Sequence, residues 1–211
     1  MEYYDFIVLT GSYLIGAIPT SVWVSQIFYN KDIRNHGSGN AGATNTFRIL
    51  GWKAGLAVLL FDIFKGWAAV QLAVFSSFST ASEYYLLFKI GLCVLAVIGH
   101  IYPVYNGFKG GKGVATLLGA VMEIHFFGAL ICLGIFVIVF ILTNYVSLGS
   151  ISGGIAFPFL VIFVFNDHFL VMNVFSIAAC VLLLITHYKN ITRLVKKSER
   201  KTYLFKKNGV E

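Results

Sequence analysis

Three short stretches hold most of the side chains that could do chemistry. The first reads RNHGSGNAGATNTFR over residues 34–48. Ser38, Asn40, Thr44 and Asn45 offer hydroxyl and amide groups there, and Arg48 offers a planar fork that pairs with phosphate oxygens. The second reads GHIYPVYNGFKGGKGVAT over residues 99–116. In it Gly110, Gly111 and Gly113 allow backbone N–H groups to face an anion at close range, and Lys109 and Lys112 add positive charge. A helix opening near Val114 would aim its first N–H groups at the same anion. The third, HYKNITR over residues 187–193, places His187 and Asn190 three apart, on one helix face. His187 could accept or shuttle a proton, and Asn190 could position a hydroxyl. The chemistry indicated is the binding of two phosphorylated groups side by side. The plainer alternatives are a basic loop on a lipid surface for the second stretch and a polar helix end for the third.

Better-known motifs are excluded by their context. GSGNAG at residues 37–42 has the G-x-G-x-x-G spacing, with Asp62 twenty residues on. A dinucleotide loop follows a β-strand, whereas apolar blocks of helix length flank this one. Asp62 falls about ten residues into the next block, some ~15 Å along a helix. Lys65 at i+3 gives it a nearer partner, an ion pair inside the membrane; a functional role for that pair is left open, since such charges are costly. NGFKGGKG has Asn106 and Gly113 where a P-loop needs Gly and Ser or Thr. Ala41, Tyr105, Leu130, Asn173 and Thr192 stand five residues after the five histidines, so the H-x-x-x-x-D site of thioester-dependent acyltransferases is absent.

The elements that must carry these stretches are apolar. Of 211 residues 58% are hydrophobic and 12% charged, and the mean hydropathy is +0.81; a soluble domain carries about 25% charged residues. Apolar blocks run over residues 6–29, 51–78, 84–101 and 114–187. A helix needs ~20 apolar residues to cross the hydrocarbon core. The first three blocks each make one span; the last makes four short ones, broken near residues 123–125, 144–150 and 166–168. The expected fold is an all-α integral membrane protein of about seven spans, or five if the breaks are kinks. Glu2 and Asp5 precede the first block where a signal peptide would be basic, so it reads as a retained span. Cys93, Cys132 and Cys180 are scattered, with no Cys/His cluster. No acidic ligand set lies in the three stretches, so neither metal nor cofactor is expected.

Charge sets the orientation. The net charge is +7. Lys31, Arg34, Arg48 and Lys53 fall in the first break, Lys109 and Lys112 in the third, and eight basic residues between Lys189 and Lys207 near the C-terminal end. Glu2, Asp5, Glu83, Glu123 and Asp167 fall on the other side, with Lys89 just inside a span. Basic short loops stay in the cytoplasm, so the N-terminus is expected outside, the C-terminus inside, and all three polar stretches on the cytosolic face. The tail, residues 200–211, reads as an anchor on anionic lipid; no nucleic acid is needed as a partner. A phosphate-ester transporter would want a charged site at the midplane and an inverted repeat. Asp62 and Lys65 are the only deep charges, and no convincing repeat is evident.

At these residues the chain resembles the bacterial acyl-phosphate-dependent glycerol-3-phosphate acyltransferases, the PlsY family. The likeness rests on GSGNAGATNTFR (37–48), GHIYPVYNGFKGGKGVAT (99–116) and HYKNITRL (187–194) followed by Glu199. It extends over a single membrane domain, residues 1–199. It implies a seven-helix enzyme of the bacterial inner membrane, working at the cytosolic face. That enzyme passes a fatty acyl group from acyl phosphate to the 1-hydroxyl of glycerol 3-phosphate, giving lysophosphatidic acid and phosphate for phospholipid synthesis. By the same resemblance Ser38, Gly39 and Asn40 would hold the acyl phosphate, with Gly110, Gly111 and Gly113 closing over it. Arg48, Lys112, His187 and Asn190 would grip glycerol 3-phosphate, and Glu199 would be structural. Two residues depart from the family pattern: Asn144, where a basic residue is frequent, and Lys197, where glycine is common. The proton of the attacking hydroxyl would pass to a substrate phosphate oxygen or to His187; Ser38 as a covalent carrier is the weaker alternative. By the same resemblance the donor would arrive from the bilayer or from a soluble acyl-phosphate synthase.

Overall fold

The computed structural model describes residues 1–203, and over them the protein is all-helical. Lys206 and Lys207 of the basic tail lie outside the described residues. The first apolar block is not one straight helix. Helix α1 (Tyr3–Gly16) and α2 (Thr20–Tyr29) meet at a 44° bend around Pro19, whose ring removes a donor and clashes with the preceding turn. The Ile18 carbonyl freed by this break accepts from the Lys65 ammonium at 2.8 Å. A short amphipathic helix α3 (Ala43–Leu50) precedes α4 (Trp52–Gln71), and α5 (Glu83–Ile101) follows. Then come α6 (Val114–Ile124), α7 (Phe126–Thr143), α8 (Val146–Phe159), α9 (Leu170–Thr186) and α10 (Tyr188–Val195).

The breaks in the long apolar block fall at His125, at 144–145 and at 165–169, within or beside the expected positions. Asn144 and Asn166 take φ of 60° and 50°, the left-handed conformation that asparagine tolerates at a helix end. Ser147 and Ser150, expected in a break, lie inside α8. Pro158 lies inside α8, which runs on into a π-helical turn, Leu160–Val164.

By length and composition four helices can cross a membrane, or up to six if each bent pair counts as one span. The shortfall from seven is α6, whose 11 residues reach only ~16 Å. Glu123 near its end is paired with Lys89 of α5 at 2.8 Å and accepts from Gln71, the last residue of α4, at 3.0 Å. Helix α6 is pressed against α4: a Cβ on Gly66 would overlap the Thr116 carbonyl, and one on Gly119 the Ile63 carbonyl. Asp62 and Lys65 form the expected pair, 2.7 Å apart and both 2% exposed. Thr20 donates to the same Asp62 oxygen at 3.0 Å. The pair therefore ties the α1–α2 break to α4. A main core of Leu92, Val97, Val121, Phe157, Val161 and Met172 packs between α5, α6, α8 with its π-helical turn, and α9. Large apolar side chains face outward all round, among them Leu142, Phe163 and Ile185, as a surface in contact with lipid requires.

Candidate active site

The three polar stretches converge. A cavity of about 710 Å³ runs from them into the helices. Ser38, Gly39, Asn40, Thr44, Arg48, Lys112, His187, Asn190 and Glu199 surround its mouth. Leu59, Leu118, Phe136, Phe157 and Leu183 line its inner arm, one from each of α4, α6, α7, α8 and α9. Asn45, Gly111 and Gly113 also touch the cavity; Lys109 and Gly110 do not.

In the first stretch Asn45 works inward. Its side-chain nitrogen donates to the carbonyls of Ile33 and His36 at 3.1 and 2.9 Å, and its oxygen accepts the Ser38 N–H at 3.0 Å. At 2% exposure it shapes the loop that presents Ser38. Gly37, at φ 64°, sits where a Cβ would overlap the Asn45 oxygen. Arg34 is gripped by Asp32 at 2.6 Å and donates to Asn106 at 2.8 Å. The residue that spoils the P-loop pattern thus ties the second stretch to the first. Ser38 Oγ lies 3.4 Å from the Asn40 N–H, and among the described residues no titratable side chain hydrogen-bonds to it, so nothing there activates it as a nucleophile.

The second stretch differs from expectation. The Gly110 and Gly111 N–H groups donate to the carbonyls of Ile101 and His100 at 3.1 and 3.2 Å. They are spent on the end of α5 and cannot cradle an anion. Gly111 is needed for packing, since a Cβ there would collide with the His100 ring and come within 2.5 Å of the Ala41 carbonyl. Gly113, at φ 78°, turns the chain into α6. The first-turn N–H groups of α6 have no partner within the helix, and with Gly113, Val114 and Ala115 on the cavity wall they are the backbone donors left for a phosphate. Lys112 points into the mouth and donates to Asn190 Oδ1 at 2.5 Å. Burial, with the nearby guanidinium groups of Arg193 and Arg48, pulls its pKa down to about 8 against the opposing pull of Glu199.

The third stretch begins where α9 stops. Helix α10 leaves at 63°, and His187 sits at the bend, 3% exposed. Its Nδ1 lies 2.9 Å from the Leu183 carbonyl. A carbonyl only accepts, so Nδ1 carries the proton and Nε2 keeps a lone pair. Burial, then Lys112, pushes the imidazole pKa down to about 4; the ring is neutral at pH 7 and able to take a proton. Asn190 donates to Glu199 Oε1 at 2.6 Å, and Ser147 of α8 donates to the same oxygen at 2.8 Å.

Residues beyond the expected domain end complete the site. Arg48 Nε donates to Thr202 Oγ1, and one of its terminal nitrogens to the Arg200 carbonyl, both at 2.9 Å. The Thr202 N–H donates to the Asn144 carbonyl at 2.9 Å, and Thr202 is 6% exposed. The expected boundary after residue 199 therefore cuts through packed chain: residues 200–202 hold Arg48 in place. Arg193, three residues past Asn190, also lines the mouth; its spacing was the signal for it. Among the described residues no three His, Cys, Asp or Glu side chains gather as metal ligands.

The model of a family described as glycerol-3-phosphate acyltransferase matches residues 6–197. The chain belongs to the glycerol-3-phosphate acyltransferase family. It is 43% identical over 197 residues to the glycerol-3-phosphate acyltransferase of Staphylococcus saprophyticus, covering 92% of this chain and 96% of that one. It is 46% identical over 159 residues to the one of Chlorobaculum parvum, covering 73% and 68%. Among solved structures it is similar to PlsY, an integral membrane glycerol 3-phosphate acyltransferase, in its glycerol 3-phosphate form. The TM-score there is 0.82 at 33% identity, over 95% of this chain and 96% of that one. The lysophosphatidic acid form of PlsY gives 0.79 at 32%. The family assignment makes the protein an integral membrane acyltransferase of phospholipid synthesis. In the structure Asn144 and Lys197 both stand at positive φ, 60° and 54°.

Proposed function

We propose that this acyltransferase takes its acyl group from a fatty acyl phosphate and places it on the 1-hydroxyl of glycerol 3-phosphate. The products are lysophosphatidic acid and inorganic phosphate. The observation that carries the reading is the two-part cavity, a cationic mouth at three converging loops and an apolar arm among five helices. Both substrates carry a phosphate for the mouth, and the donor carries a chain for the arm. Glycerol 3-phosphate lies against Arg48 and Lys112 with its 1-hydroxyl toward His187. The acyl phosphate lies against Ser38, Gly39, Asn40 and the first turn of α6. The hydroxyl oxygen forms a bond to the acyl carbon, the acyl–phosphate C–O bond breaks, and phosphate leaves with that electron pair. The proton goes to His187 Nε2 or to a phosphate oxygen. A mixed anhydride already has a good leaving group, so alignment and anion stabilisation suffice.

We further infer seven crossings of the bacterial inner membrane, with the N-terminus outside and the mouth facing the cytosol. Supporting this are the basic loops at the mouth, and α6 reaching back to the level of Lys89 and Gln71. Cysteines placed beside Glu83 and Asp167 should react with an impermeant reagent on intact cells, and one beside Ser38 should not. The donor is tested by supplying purified protein with glycerol 3-phosphate and either acyl phosphate or an acyl thioester. Product from acyl phosphate alone supports the reading; product from the thioester alone overturns it.

A further inference from the structure

Two carboxylates line the cavity among the described residues, Asp62 and Glu199. Asp62 is engaged by Lys65 and Thr20 at 2.7 and 3.0 Å. Glu199 stands at the mouth, 8% exposed, and its two oxygens are treated unequally. Oε1 accepts from both Asn190 and Ser147. Oε2 is buried with no hydrogen-bond partner. A buried acceptor left unpaired is costly and calls for an explanation. A phosphate cannot supply the missing donor, because its oxygens accept; an alcohol can.

On the reading that the acceptor is glycerol 3-phosphate, its phosphate belongs with Arg48 and Lys112. The 1-hydroxyl belongs with His187 Nε2. The 2-hydroxyl is the donor left over, and Glu199 Oε2 is the acceptor left over. We propose that Glu199 contacts the substrate directly, accepting the 2-hydroxyl of glycerol 3-phosphate, and is thereby the residue that selects this acceptor over phosphorylated alcohols lacking that group. The Lys112–Asn190–Glu199 chain then has a second task. It holds the carboxylate at a fixed distance from the ammonium that binds the phosphate, so the mouth measures phosphate and 2-hydroxyl together. A site built to pair a hydroxyl rejects an analogue without it, because the buried group is then stranded.

The test compares glycerol 3-phosphate with 3-hydroxypropyl phosphate, which keeps the reacting primary alcohol and lacks only the 2-hydroxyl. Wild-type kcat/KM should favour glycerol 3-phosphate by about ten- to a hundredfold, the range of a hydrogen bond to a charged group. Equal values overturn the proposal. In E199Q the amide oxygen keeps Asn190 and Ser147 and the N–H₂ faces the substrate; the 2-hydroxyl can then only accept a neutral bond, and the preference should fall to about two- to tenfold. S147A removes a partner of Oε1 only; it should slow both acceptors alike and keep the preference. Loss of rate in E199Q by one common factor on both acceptors would make Glu199 purely structural and overturn the assignment. If E199Q does not fold, E199D gives the same reading with the carboxylate withdrawn by one methylene: a reduced preference supports the contact, an unchanged one overturns it. Should the wild type fail to acylate glycerol 3-phosphate at all, the functional reading falls, which is a different result from lost discrimination.

Discussion

The Lys112 ammonium donates to the Asn190 side-chain oxygen at 2.5 Å, joining the second and third polar stretches across 78 residues of sequence. Asn190 passes the link on to Glu199. An amide is suited to that place because it accepts on one side and donates on the other. Asn190→Asp keeps the acceptor for Lys112 but sets two carboxyl groups face to face. It should lower kcat/KM by at least tenfold. Asn190→Ala should do the same by freeing Lys112 to wander. Steady-state kinetics on protein of normal melting temperature checks both; wild-type values would detach Lys112 from the third stretch.

Thr202 holds Arg48 through Nε, leaving other guanidinium N–H groups for substrate. Loss of one such hydrogen bond is worth about 0.5–1.5 kcal/mol. Thr202→Val should raise KM for glycerol 3-phosphate about two- to tenfold with little change in kcat, and Thr202→Ser should restore it. In an Arg48→Ala background Thr202→Val should have no further effect. An equal effect in both backgrounds would show that Thr202 acts on the fold and not on Arg48.

The pH profile follows from two depressed bases. Lys112, at about 8, loses its charge as pH rises through that value. kcat/KM should therefore fall above about pH 8, and Lys112→Arg should remove that limb even though its bulk slows the enzyme. His187, at about 4, stays neutral down to that pH, so its protonation should cost no activity near its ordinary value of 6.5. For stability the sign is the same for both. The unfolded chain binds more protons between about 8 and 10.5 for Lys112, and between about 4 and 6.5 for His187. Each contribution grows with pH across its window. A basic limb that survives in Lys112→Arg would assign it to another group.

Lys197 adopts φ 54°, a conformation that costs a residue with a Cβ about 1–2 kcal/mol. Lys197→Gly should raise the melting temperature by about 2–8 °C and leave kcat/KM unchanged. A lower melting temperature would mean that the lysine side chain contributes more than its backbone costs.

What was legible in the sequence was the set of residues able to hydrogen-bond or carry charge; what was not was the partner each would choose. Ser38, Arg48, Lys112, His187 and Asn190 could be picked out by type and spacing, and they do share one mouth. Asn45 had the same credentials but spends all of its groups on the loop. The Gly110 and Gly111 amides were expected at an anion, yet the carbonyls at the end of α5 claim them, because backbone pairing depends on which chain end lies alongside. Residues 200–202 carried no motif: one of their two contacts to Arg48 is the Arg200 carbonyl, and the other, the Thr202 hydroxyl, is placed by the Thr202 N–H on the Asn144 carbonyl. The intramembrane pair was readable because i and i+3 are neighbours on any helix. That Lys65 also completes the Ile18 carbonyl depended on a bend elsewhere in the chain.

The most direct test of the account is kcat/KM for acyl phosphate and glycerol 3-phosphate in purified Arg48→Ala and Lys112→Ala. Each removes a charge-assisted hydrogen bond of about 1.5–3 kcal/mol, so each should lose about ten- to over a hundredfold in rate. Arg48→Lys, which keeps the charge and loses the fork, should stay impaired. Near wild-type kcat/KM in both alanine variants would contradict the two-phosphate mouth and leave these cations as lipid-facing anchors.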